Sequence, residues 1–113
     1  MSSPEGGMIH VFWDEELTRV VLSGDIGAGV VTELEEAAKF VRTRRRPLKI
    51  DVRHVTTMDA TGFAGFAKLA LSSHNPVTVV YPSPMICFIL GVSGLNNHLE
   101  IINQEDMADD LNL

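Results

Sequence analysis

Leu48–Phe66, LKIDVRHVTTMDATGFAGF, decides the fold, because an apolar strand here runs into an acidic and hydroxyl turn and then into a helix. Leu48, Ile50 and Val52 alternate with polar neighbours at the two-residue period of a strand. Past the turn, Phe63, Phe66, Ala67, Ala70 and Leu71 fall at helical spacing, which predicts a helix starting close to Thr61–Gly62. Asp59 and Thr61 both sit where a side chain accepts from the unpaired amides of a first helical turn. Such a start also favours negative charge, and so suits a phosphate. His54 falls in the strand-to-helix loop on this reading, as a bystander to Asp59.

Working outward, Met8–Trp13 reads as a first strand with Ile9, Val11 and Trp13 on one face. Thr18–Ser23 reads as a second strand, and the polar turn Asp14-Glu15-Glu16 makes the two a hairpin. Gly24, Gly27 and Gly29 mark a flexible connection around Asp25; without GxxxxGK[ST] it reads as a connector, not a phosphate loop. Val30–Arg45 is an amphipathic helix, with Val30, Leu34, Ala37, Ala38 and Val41 in one stripe. Its glutamates come early and its arginines late, complementing the helix dipole, and the RTRRR run before Pro47 reads as a solvated helix end.

Val77–Tyr81 has the near-continuous apolar character of a buried parallel strand. Ser83 is placed to cap the next helix and Pro84 to occupy its first position. That helix, running through residues 85–92, is apolar on every side, so one face is poorly solvated unless a partner covers it. Leu99–Ile102 reads as a last strand and Gln104–Leu111 as a short acidic helix. Strands alternating with helices in this order predict an α/β fold. The sheet is mostly parallel, with four or five strands, an antiparallel N-terminal hairpin and about four helices.

At 113 residues the chain has room for one core, expected over residues 8–113 after a flexible stretch at 1–7. A hydrophobic content of 45% is that of an ordinary globular protein. Nine Lys plus Arg against fifteen Asp plus Glu give a formal charge of −6, which argues against nucleic acid as the main partner. Cys87 is the only cysteine, so an internal disulfide is excluded, and its apolar neighbours make it a small core residue. MSSPEGG lacks the apolar centre of a signal peptide, and Met85–Val92 is too short to span a bilayer. A cytoplasmic location without membrane insertion is expected.

His10, His54, His74 and His98 show no zinc spacing, and Ser23 and Ser93 lie in no GxSxG elbow. With no nucleophile, base and oxyanion set discernible, the chain reads as a non-enzyme without a metal or cofactor.

The strand, then Asp-small-Ser/Thr-Gly, then a helix resembles the centre of the STAS domain, the sulphate-transporter and anti-sigma-factor-antagonist family. Other segments agree in order. Val20–Asp25, VVLSGD, looks like the family's second strand and its Gly-acidic exit. Tyr81–Pro84 looks like the turn opening its third helix, and Gly91–Leu95, GVSGL, like that helix's end. The resemblance covers roughly residues 8–112, and the order of the motifs is its main strength. It implies a stand-alone anti-sigma factor antagonist: a protein-binding module that engages a GHKL-type anti-sigma kinase and so releases a sigma factor. The partner surface it implies is the turn Asp59, Ala60, Thr61 and Gly62. In members that act as phosphorylation switches the acceptor hydroxyl usually follows the aspartate, and here that position is Ala60. Thr61 is then the remaining candidate for phosphorylation. Constitutive binding and service within a larger signalling complex stay open beside it. An accessory subunit of a lipid or anion transport system is the alternative the family offers, and homo-oligomer formation is compatible with either.

Overall fold

The computed structural model describes residues 6–103. The strands are β1 (Met8–Trp13), β2 (Thr18–Ile26), β3 (Leu48–Met58), β4 (Val77–Val80) and β5 (Glu100–Ile102). The helices are α1 (Val31–Arg44), α2 (Ala60–Leu71) and α3 (Pro84–Ser93), with short 3-10 turns at Ala28–Val30 and Leu95–His98. The strands lie in the order β1-β2-β3-β4-β5, β1 antiparallel to β2 and the others parallel. This is the expected α/β sheet with its N-terminal hairpin. Three α-helices fall among the described residues, and the expected helix at 104–111 lies outside them, as do residues 1–5.

Register explains the core. Val11, Val20, Ile50, Val79 and Ile101 are cross-strand neighbours through all five strands, forming one apolar row. Each successive parallel strand is added on the same side of the last, so right-handed crossovers place α1, α2 and α3 over one face of the sheet. Leu34, Ala37, Ala38 and Val41 of α1 and Phe66, Leu69 and Ala70 of α2 are buried there. α1 and α2 approach closely because Gly65 leaves room for Leu34, whose Cδ1 would stand 2.7 Å from an added Cβ. Leu71, assigned to the apolar stripe from spacing, is exposed in the last turn.

The opposite face carries the next row, Phe12, Arg19, Lys49, Thr78 and Glu100. Here Asp51 is buried under Arg19 and Arg53, whose guanidinium groups stand 3.2 and 3.4 Å from its carboxylate. Arg53 also lies over the Tyr81 ring at 4.0 Å.

Three local expectations change. β2 and β3 are longer than their apolar patterns, since a register shift at Gly24, φ 77°, carries β2 on to Ile26. Asp25 therefore belongs to β2, and His54 to β3 rather than to a loop. The arginine run is not merely solvated: Arg44 donates to the Thr18 hydroxyl and to the Asp14 and Leu17 carbonyls, and Arg46 donates to the Glu15 carbonyl. The end of α1 is thereby tied to the hairpin turn. α3 behaves as its composition demands, burying Ile86 and Leu90 and leaving Met85, Phe88 and Val92 exposed.

Candidate functional site

The C-terminal ends of β2, β3 and β4 bring Asp25, Thr57, Asp59 and the start of α2 to one end of the sheet, where parallel strands commonly present ligand-facing loops. Asp59 is the N-cap of α2: its extended backbone breaks the strand and its Oδ1 accepts from the Gly62 amide at 2.8 Å. Its carbonyl accepts from Phe63 at 2.8 Å, opening the helical ladder. Its own amide donates to the Ile26 carbonyl at 3.3 Å, which ties the turn to β2.

Two glycines let the turn lie this close to β2. A Cβ on Gly62 would stand 1.7 Å from the Ile26 carbonyl oxygen, a contact no side chain can make. A Cβ on Gly27 would stand 2.8 Å from Asp59 Oδ2. The Asp59 carboxylate is therefore held between the first turn of α2 and the β2 exit. Its charge also suits the positive end of the helix.

Of the two residues with capping chemistry, Asp59 caps and Thr61 does not. α2 begins at Ala60, one residue earlier than the spacing suggested, which puts Thr61 within the first turn and exposed. Thr61 instead lines the mouth of an α1–α2 groove of about 190 Å³ with Val31, Glu35, Ala64 and Lys68. Ala60 is exposed beside it, while Gly62 is buried. The turn thus presents Asp59, Ala60 and Thr61 outward and uses Gly62 as its hinge against the sheet.

Asp25 and Thr57 are cross-strand partners, and the Thr57 hydroxyl donates to the Asp25 carboxylate. Local sequence offered no sign of this pair, because its members are 32 residues apart and meet only through the β2–β3 register. The one available signal was the acid at the end of VVLSGD. His54 is exposed on β3 opposite Ser23, farther down the strand than Asp59. Among the described residues, no three His, Cys, Asp or Glu side chains converge as metal ligands, and no helix is long and apolar enough to cross a membrane.

Known proteins share this fold. An anti-sigma factor antagonist from Mycobacterium paratuberculosis superposes with a TM-score of 0.76 at 21% identity, over 98% of this chain and 97% of that one. The phosphorylated form of the Bacillus cell fate determinant SpoIIAA gives 0.69 at 14% identity, over 92% and 99% of the two chains. An anti-sigma factor antagonist from Thermotoga maritima gives 0.66 at 12%, over 90% and 92%. At these identities the likeness is one of fold. No curated protein sequence matches. A family model described as Mlab, STAS domain, matches residues 9–103. With nearly the whole described chain inside that match, this protein belongs to the STAS domain family.

Proposed function

We propose that this chain is a non-catalytic protein-interaction module of the anti-sigma factor antagonist kind, docking through Asp59, Ala60 and Thr61 on an anti-sigma kinase and so freeing a sigma factor. The observation that carries the reading is the exposed turn itself. A charged cap and two small or hydroxyl side chains are held outward by a glycine wedge, as a partner needs of a preformed contact. The exposed apolar face of α3 extends the surface. Thr61 is the candidate acceptor in place of Ala60. Because it does not cap α2, its hydroxyl is free for modification without opening the first turn. Added phosphate there would disrupt a contact already made by Asp59, through repulsion and desolvation.

A second reading is favoured by the family description, which names an Mlab STAS domain rather than an anti-sigma factor antagonist. In it the same turn docks on a component of a lipid or anion transport system, and the absence of an acceptor hydroxyl at position 60 is natural. One experiment separates the two. The tagged chain and its Thr61→Arg variant are used to recover partners from the native cell, and the wild-type chain is then incubated with the recovered partner and ATP before intact-mass analysis. A kinase lost by the variant, and one phosphate added at Thr61, support the first reading. A transport ATPase or permease lost by the variant supports the second. Equal recovery by both proteins removes the turn from the binding surface.

A further inference from the structure

The sheet has two edges of different character. β5 is three residues long and begins with Glu100, and shortness and charge are two common ways of blunting an edge. β1 is six residues long, MIHVFW, and contains no lysine, acid, glycine or proline. Among the described residues its outer side pairs with no strand. In such an edge strand every second residue turns its N–H and C=O away from the sheet.

The flank of β1 on the helix side is hollow. Two grooves of about 280 and 200 Å³ share Ile9 and Glu33, so together they follow the strand from Gly7 to Trp13. Ile9, Val11, Trp13 and Phe40 supply the apolar lining of the larger one, and Glu33 and Glu36 of α1 are its charged residues. Trp13 is 60% exposed although its ring sits 5.0 Å from that of Phe40. On the other face of the same strand Met8 and Phe12 are also exposed.

We propose that β1 captures an extended segment of another protein in which basic and apolar residues alternate, adding it as a sixth strand. A strand of this length spans roughly 20 Å, so about six residues of the segment are paired through backbone hydrogen bonds. Its basic side chains lie on the helix side, with their aliphatic stems along Val11 and Trp13 and their charged heads on Glu33 and Glu36. Its apolar side chains lie on the opposite face against Met8 and Phe12. Charge decides against a second copy as the occupant. Two-fold pairing of β1 with itself would bring both α1 helices to the same side, setting Glu33 and Glu36 of each copy near those of the other. The surface is separate from the Asp59 turn, none of whose residues line it.

Trp13 is the only tryptophan of the chain and reports directly on the groove. The full chain is titrated with a synthetic seven-residue peptide of alternating Lys and Val while its emission is followed. The expected result is a saturable blue shift that weakens with added salt. Binding falls about tenfold or more in the double variant Glu33→Gln, Glu36→Gln, whose exposed positions leave the fold intact by circular dichroism. An alternating Glu-Val peptide does not bind. Of two Lys-Val peptides N-methylated on either the odd or the even amides, at least one binds about tenfold more weakly, since it cannot complete the strand ladder. Unchanged emission up to millimolar peptide overturns the proposal. So does binding of both methylated peptides as tight as that of the unmethylated one, which would mean charge attraction without strand addition. A concentration-dependent dimer in sedimentation that shields Trp13 would assign the edge to a second copy and likewise overturn it.

Discussion

Helices α2 and α3 both leave the C-terminal end of a parallel strand and both start from a side-chain cap. Asp59 accepts from the Gly62 amide at 2.8 Å, and Ser83 from the Ile86 amide at 3.2 Å. Beyond the cap they diverge. The first turn of α2 is pressed onto β2 through Gly62, and the helix then buries Phe66, Leu69 and Ala70. α3 has no such wedge, buries only Ile86 and Leu90, and leaves Phe88 and Val92 each 69% exposed. In α2 the specialised part is the start, whose position is fixed to within a hydrogen bond. In α3 the start is ordinary and the exposed apolar face is unusual for a free surface.

The contrast is broken most directly at Gly62. Alanine normally improves a helix by up to about 1 kcal/mol relative to glycine. Here its Cβ meets the Ile26 carbonyl at 1.7 Å, so α2 must move away from β2 or the turn must open. Gly62→Ala is expected to destabilise the domain by about 3 kcal/mol or more, read as a lower urea midpoint at unchanged slope. A neutral or stabilised variant would show that the wedge is not needed, and the distinction between the two helix starts would disappear.

How much of this was legible in the sequence follows from the range of the interactions. Alternation placed β1, helical spacing α1 and a near-continuous apolar run β4, and the Ser83–Pro84 pair marked the start of α3 to the residue. These are local patterns set by neighbours a few positions away. The ends of β2 and β3 were missed because Gly24–Ile26 and Arg53–Met58 lack clean alternation. They are held as strands by each other through a shifted register. Asp59 and Thr61 both stood as candidate caps because Thr and Asp share that chemistry, and only the φ/ψ of Asp59 shows which residue ends the extended chain. The Asp25–Thr57 bond and the Arg44 and Arg46 contacts to the hairpin are invisible for the same reason: each joins positions about thirty residues apart.

A smaller effect compares the caps themselves. Asp59→Ala removes a charged acceptor at the positive end of α2, and Ser83→Ala a neutral one at the longer distance. The expected losses are about 1.5 kcal/mol for the first and about 0.5–1 kcal/mol for the second, by urea denaturation of both variants. Equal losses would mean that the Asp59 charge adds nothing to the fold, which would leave partner binding as the reason for an acid there. A loss at Ser83 greater than at Asp59 would invert the comparison and make α3 the more cap-dependent helix.

The smallest expected effect tests the exposed side of α3. Gly91 lies within the helix with nothing within 4 Å of an added Cβ, the opposite of Gly62. Gly91→Ala therefore meets no steric cost and reduces the freedom of the unfolded chain, for a gain of about 0.5 kcal/mol. The position is close to the C-terminal end at Ser93, where fraying keeps the gain below that of a central site. A higher urea midpoint in dilute solution, with the slope unchanged, is the outcome expected of an open surface. If the gain turns into a loss only at high protein concentration, the space beside Gly91 is filled by a second molecule there. The apolar face of Phe88 and Val92 would then be a self-association surface instead of an extension of the partner site.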